Sequence, residues 1–137
     1  MTKEIKSVAV LGGGTMGAGI AGLCAERDIP VLILEMNESA VEAAKDRLIN
    51  GKPAPIDNPE KMSNIDTGTF DNDLEKLKDY DWICEAIIEN ADAKRDLIKR
   101  VEEVRSDTSI LTSNTSGILL KEISEDMPDR LKRDLAV

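Results

Sequence analysis

The sequence predicts an α/β protein with a doubly wound, mostly parallel sheet and helices on both faces. Three observations predict it. Short apolar runs of strand length recur at residues 8–11, 30–34, 82–87 and 109–112. Stretches with helical periodicity lie between them, and such alternation builds parallel strands through right-handed crossovers. The first run also passes at once into Gly12-Gly13-Gly14-Thr15-Met16-Gly17, a glycine turn that opens a helix.

Glycines 12, 14 and 17 fit G-x-G-x-x-G, and each position has a physical job. Gly12 permits the tight turn out of the strand. Gly14 has no Cβ, so a diphosphate can sit against the backbone. Gly17 lets the helix pack close to the strand. An anion would then rest on the free N–H groups and positive dipole end of that helix. Gly19 and Gly22 each cost the helix roughly 1 kcal/mol against Ala, so the row of helical glycines suggests tight packing. The second strand, 30–34, ends in Glu35, 18 residues beyond Gly17. That is close to the ~20 expected of the acid that bonds the adenosine ribose hydroxyls. Together these features read as a dinucleotide site of Rossmann type.

After Glu35 a helix is expected over 38–49, with Val41, Ala44 and Leu48 on one face. Asn50-Gly51 ends it, and Pro53, Pro55 and Pro59 argue against regular structure beyond. Residues 65–70 read as a short edge strand, and Asp71-Asn72-Asp73 as the cap of a helical turn through Leu74 and Leu77. The strand at 82–87 leads into a longer helix over 91–105, striped by Leu97, Ile98, Val101 and Val104. After the strand at 109–112 comes the polar loop Ser113-Asn114-Thr115-Ser116-Gly117, then a short helix near 120–124. Pro128 stops that helix, and 134–137 begins one more strand.

Composition narrows the function classes. At 137 residues the chain is one domain, with 41 % hydrophobic and 33 % charged residues, ordinary for a soluble protein. The net charge of −9 disfavours nucleic acid and anionic membrane surfaces as partners. No apolar run approaches the ~20 residues of a membrane span, and the N-terminus has no apolar signal core, so a cytoplasmic protein is expected. Cys24 and Cys84 fall in a helix and a strand and read as buried thiols, with no metal site. There is no histidine.

Ligands of such sheets bind at the carboxyl ends of the strands, which nominates residues 85–90 and 113–117. Lys94 shares the inward stripe of Leu97 and Ile98. It either points into the cleft or snorkels past the core. Glu85 reads as a strand-end carboxylate with a structural partner. The residues Ser113 to Ser116 either meet a ligand or, the reading favoured by pattern alone, cap the following helix.

Gly12 to Ala21, then Glu85-Ala86-Ile87-Ile88-Glu89-Asn90 with Lys94, then Ser113-Asn114-Thr115-Ser116, resemble the NAD-binding domain of 3-hydroxyacyl-CoA dehydrogenases over nearly the whole chain. That family oxidises L-3-hydroxyacyl-CoA to 3-ketoacyl-CoA in fatty-acid β-oxidation, passing hydride to NAD. The resemblance implies that Gly12, Gly13, Gly14, Thr15, Met16 and Gly17 cradle the diphosphate and that Glu35 holds the adenosine ribose. It implies that Glu89 and Lys94 line the cofactor site, with Asn114 near the nicotinamide and Ser116 on the substrate oxygen and cofactor. Asn114 and Ser116 would thus be the catalytic residues of this chain.

The chain departs from the family in two places. A long helical hairpin that helps hold coenzyme A is often found after the second strand; here residues 51–63 are short and proline-broken, leaving only Lys52 or Lys61 as guesses. The family's catalytic histidine and its helical, dimer-forming substrate domain follow the next strand, where this chain stops. Residues 1–137 are therefore expected to be the NAD-binding domain of a longer, homodimeric enzyme with an acyl-CoA thioester substrate. The chain by itself is expected to bind NAD without turnover. Two other readings are the NAD domain of another Rossmann hydroxy-acid dehydrogenase, which the short 51–63 arm favours, and a stand-alone dinucleotide-binding module.

Overall fold

The computed structural model describes residues 4–115 and the strand residues 135–136. In chain order the elements are β1 (Val8–Leu11), α1 (Thr15–Glu26), β2 (Val31–Glu35), α2 (Glu38–Asn50), a 3-10 helix (Pro59–Asn64) and β3 (Ile65–Thr69). They continue with α3 (Phe70–Asp73), a second 3-10 helix (Leu74–Asp79), β4 (Trp82–Glu85), α4 (Ala91–Val104), β5 (Ile110–Ser113) and β6 (Leu135–Ala136). The six strands form one parallel sheet in the order β3-β2-β1-β4-β5-β6. The doubly wound sheet is the one expected.

Successive side chains of a strand point to opposite faces, and the parallel register sorts them into two cores. Val8, Val10, Val31 and Ile33 face α1, through Ala18, Ala21 and Ala25, and Leu48 of α2. Ala9, Leu11, Leu32, Leu34, Ile83 and Leu111 face the other way, onto Leu77 and onto Leu97, Ile98 and Val101 of α4. Strands buried on both faces account for the unbroken apolar runs of the sequence. Each fully buried Leu or Ile contributes about 1.5–3 kcal/mol. Trp82 lies on the α1 face of β4, and its Nε1 donates to Thr112 Oγ1 of β5 at 2.9 Å.

Local chemistry sets the helix ends. Asn37 and Asn90 cap α2 and α4, accepting from the N–H groups of Ala40 and Ala93 at 2.8 and 3.0 Å. At the far end of α4 the buried Arg105 donates to Glu102 Oε2 at 2.7 Å and to the carbonyl of Ser109 at 3.1 Å, tying the helix to the start of β5.

Several local expectations need correction. The helical turn through Leu74 and Leu77 is the second 3-10 helix, and Asp73 is its N-cap as expected but makes no side-chain cap bond there. Its carboxylate instead accepts the Thr69 N–H at 3.0 Å, while Thr69 Oγ1 caps the preceding α3 by accepting from Asn72 N–H. Pro59 does not exclude regular structure: it starts a 3-10 helix behind the cap Asn58, where a missing N–H costs nothing. β4 stops at Glu85 instead of 87, because the Glu85 carboxylate takes the Ile87 N–H and turns the chain. Gly22 packs against Pro55, where an added Cβ would sit 2.6 Å from that ring, but a Cβ on Gly19 would meet nothing within 4 Å, so tight packing is not its reason. The helix expected near 120–124 lies outside the described residues.

Candidate cofactor site

From β1 the chain crosses first to β2 on one side and later returns to β4 on the other. The two crossovers leave a crevice at the carboxyl ends of the strands, the place where such sheets bind ligands. A cavity of about 780 Å³ lies there. Its centre is formed by Gly12, Gly14, Thr15 and Met16. One end is lined by Glu35, Met36 and Phe70, the other by Ile87, Ile88, Glu89 and Asn114, with Leu97 and Arg100 of α4 along one wall.

The three motif glycines are needed for three different reasons. Gly12 has φ +104°, a backbone that L side chains rarely adopt, and its Cβ would lie 2.7 Å from the Ala86 carbonyl. Gly17 presses on the turn itself, since its Cβ would run into the carbonyl oxygen of Gly12. Gly14 borders open space: a Cβ there would meet nothing within 4 Å and would project into the cavity. Gly14 is also the N-cap of α1, which has no side-chain cap and no acid in its first turn. The first N–H groups of α1 and its dipole are thus left for an anion.

Glu35 and Arg47 hold this turn. Glu35 Oε1 accepts the Gly13 N–H, its Oε2 accepts the Met36 N–H at 3.1 Å, and Arg47 Nη1 of α2 donates to the Gly13 carbonyl. A Cβ on Gly13 would collide with that of Ala44, so α2 packs directly on the turn. Arg47 was not among the residues nominated from the sequence. The available signal was a cation three residues beyond Ala44 and one before Leu48, on the shoulder of the buried stripe.

Of the residues nominated for the cofactor, Gly12, Gly14, Thr15, Met16, Glu35, Glu89 and Asn114 line the cavity. Gly13 and Gly17 do not line it. Lys94 requires a correction. It neither points into the cleft nor snorkels to solvent: it is 0 % exposed and donates to Glu85 Oε2 at 2.6 Å and to the Ile87 carbonyl at 3.3 Å. Glu85, equally buried, has the structural partners expected of it; its Oε1 accepts from Ser113 Oγ at 2.5 Å. Glu89 Oε1 is 3.7 Å from Lys94 Nζ and accepts from Thr115 Oγ1 at 2.7 Å. Asn114 is exposed, with its N–H on the Glu85 carbonyl at 2.7 Å. Ser116 lies outside the described residues.

Lys61 is not at this end of the sheet. It pairs at 2.6 Å with Asp28, in the turn before β2, and that hydrogen bond holds the Asp28 carboxyl below its usual value. Burial pushes the Cys24 and Cys84 thiols up, as befits groups inside the core. Among the described residues no cluster of three metal-ligating side chains occurs, and no helix is long and apolar enough to cross a membrane.

A doubly wound parallel sheet, an uncapped helix behind a glycine turn and an acid at the end of β2 define a dinucleotide-binding domain of Rossmann type. The family model for the 3-hydroxyacyl-CoA dehydrogenase NAD-binding domain matches residues 7–135, and the chain belongs to that family. A probable 3-hydroxyacyl-CoA dehydrogenase of Deinococcus radiodurans is 42 % identical over 122 residues, 84 % of this chain and 35 % of its own length. A putative fatty acid oxidation complex trifunctional enzyme of Rickettsia felis is 35 % identical over 139 residues, 96 % of this chain and 19 % of its own. Among solved structures, (S)-3-hydroxybutyryl-CoA dehydrogenase PaaH1 of Ralstonia eutropha superposes with a TM-score of 0.75 at 28 % identity, over 93 % of this chain and 47 % of that one. The chain therefore spans about a third of the first of these relatives and less of the second. Its cofactor is NAD, and the open face of Gly14 and the uncapped first turn of α1 fit the diphosphate of that group.

Proposed function

We propose that this chain is the NAD-binding part of an enzyme that oxidises L-3-hydroxyacyl-CoA to 3-ketoacyl-CoA in fatty-acid β-oxidation. The observation that carries the reading is the cavity at the β1–β4 crevice, whose centre is the uncapped amino end of α1 and the bare face of Gly14. NAD, when bound, supplies the acceptor for the hydride lost by the alcohol carbon. The turn 12–16 and the first N–H groups of α1 bind its diphosphate. Glu35 accepts from the adenosine ribose hydroxyls, which selects against a 2′-phosphate. Glu89 and Asn114, at the other end of the cavity, orient the nicotinamide half. Ser116 is assigned to the substrate oxygen on the family resemblance.

Alcohol oxidation also needs a base whose pKa lies near the working pH. Histidine is the usual choice, and these 137 residues contain none. The chain on its own therefore binds NAD and does not turn over. The acyl-CoA thioester, a homodimeric assembly and a cytoplasmic location belong to the same proposal for the whole enzyme. Calorimetry with NAD, followed by an assay of NADH with acetoacetyl-CoA, tests it. Micromolar binding without turnover is expected. Absence of NAD binding overturns the reading of the cavity, and turnover by the 137-residue chain overturns the requirement for a base outside it.

A further inference from the structure

One cluster of charged groups takes no part in lining the cavity, yet it lies directly behind one end of it. Glu85 sits at the last position of β4 and is 0 % exposed, as is Lys94 of α4. Glu85 accepts three hydrogen bonds from three different pieces of chain. Its Oε2 takes Lys94 Nζ at 2.6 Å and the Ile87 N–H at 2.8 Å, and its Oε1 takes Ser113 Oγ at 2.5 Å. Its own carbonyl accepts the Asn114 N–H at 2.7 Å. Lys94 in turn reaches the Ile87 carbonyl at 3.3 Å and comes within 3.7 Å of Glu89.

A buried ion pair is weak evidence of stability, because desolvating both charges offsets most of their attraction. Its geometric effect is plainer: a carboxylate with three short, charge-assisted or main-chain bonds has one place to be. The groups it holds lie in or beside two loops: Ile87 in 86–90, Lys94 in the first turn of α4 directly after that loop, Ser113 at the end of β5 and Asn114 in the loop that follows it. Ile87, Glu89 and Asn114, which line the end of the cavity opposite Glu35, belong to these two loops.

We propose that Glu85 is a positioning residue for the nicotinamide half of the cofactor: acting through Lys94 and Ser113, it sets the separation of the two loops that receive that half. This rests on the cofactor reading above, and it assigns to Lys94 an indirect part in the site. The adenosine and diphosphate half lies on β1, α1 and β2 and is independent of Glu85.

The test is a comparison of NAD⁺ with ADP, which lacks the nicotinamide riboside, by calorimetry on the full chain. Glu85→Gln keeps the shape, and with the Ser113 hydroxyl reversed it keeps its neutral bonds, but it removes the charge that holds Lys94. NAD⁺ affinity is expected to fall about tenfold or more, the loss of a charge-assisted bond, while ADP affinity stays within about twofold. Equal losses for both ligands, or none for NAD⁺, overturn the proposal. Should Glu85→Gln fail to fold, the paired variant Glu85→Leu/Lys94→Met, which leaves no lone buried charge, keeps the test alive. It is expected to bind ADP as the natural chain does and NAD⁺ about tenfold more weakly; natural NAD⁺ affinity in it overturns the proposal. If the natural chain binds neither ligand, the cofactor reading itself has failed, an outcome distinct from these.

Discussion

Arg47, in the last turn of α2, donates to the main-chain carbonyl of Gly13, in the middle of the turn after β1. Glu35 accepts the N–H of the same residue. One glycine is thus gripped at both polar atoms by opposite charges from two elements. The turn that faces the cofactor has its conformation set by the end of β2 and the last turn of α2.

Arg47→Met keeps most of the stem and removes the donor. A hydrogen bond from a charged group is worth about 1.5–3 kcal/mol, and part of that is shared with NAD binding through the turn. The expected outcome is a fall in NAD affinity of roughly 5- to 30-fold, read by calorimetry, with the far-ultraviolet circular dichroism unchanged.

The natural chain is expected to prefer NAD to NADP, because the Glu35 carboxylate would meet a 2′-phosphate as a like charge. Glu35→Ala removes that repulsion and leaves Arg47 nearby as the one cation holding the turn. Titrations with both cofactors should show the preference shrinking by about tenfold or more. Equal binding of both by the natural chain would contradict the role given to Glu35.

Two glycines only three residues apart should fail in opposite ways. Gly14→Val adds its side chain in open space, so the protein folds with a normal melting temperature and loses NAD binding. Gly17→Ala drives a Cβ into the Gly12 carbonyl, so the loss appears first in stability, about 1–3 kcal/mol or more. Thermal melts and NAD titrations on both variants check this.

Arg105→Ala withdraws a fully buried guanidinium from Glu102 and from the carbonyl and hydroxyl of Ser109. Breaking such a pair typically costs about 3–5 kcal/mol. A urea midpoint that moves far less would show that water replaces the guanidinium at this corner.

Asp73 contributes to stability in a pH-dependent way. The Thr69 N–H, and then Lys76, hold its carboxyl below the usual carboxylate value. Its contribution is therefore complete above the ordinary aspartate pKa of about 3.9 and is lost as pH falls through the lowered folded value. Asp73→Asn should be less stable than the natural chain at pH 7, with the gap closing below about pH 4. Urea midpoints from pH 3 to 7 measure it; a constant gap would assign the effect to shape instead of charge.

Much of this architecture was legible in the residues. β1 and β2 are buried on both faces, so their sequences are unbroken apolar runs with no helical alternative of adequate length. The glycines at 12, 14 and 17 announce themselves because each answers a different spatial demand that any side chain would violate. What escaped reading depends on partners distant in the chain. Helical spacing puts Lys94 on the inner stripe of α4, but its resting place is decided by Glu85, in a strand nine residues earlier. Arg47 looks like any surface cation of a helix until α2 is laid against the turn. Asp73 stands at the N-cap of the turn through Leu74 and Leu77, as its place in the sequence suggests, but its carboxylate is committed to the Thr69 N–H four residues back and makes no cap bond there.

Val8 is paired on one side with Val31 and on the other with Trp82. The span of chain that must close to seat β2 is short, and the span that must close to seat β4 is several times longer. Closure entropy grows with that span, so the β1–β4 pairing costs more to close than the β1–β2 pairing. That pairing is the seam between the part of the sheet built on β1, β2 and β3 and the part built on β4 and β5. The crevice lies over that seam, with Gly14 on the first part and Glu89 and Asn114 on the second. A dinucleotide stretched across it would act as a staple between the two parts of the sheet, and protection of the seam amides against hydrogen exchange would rise with its concentration.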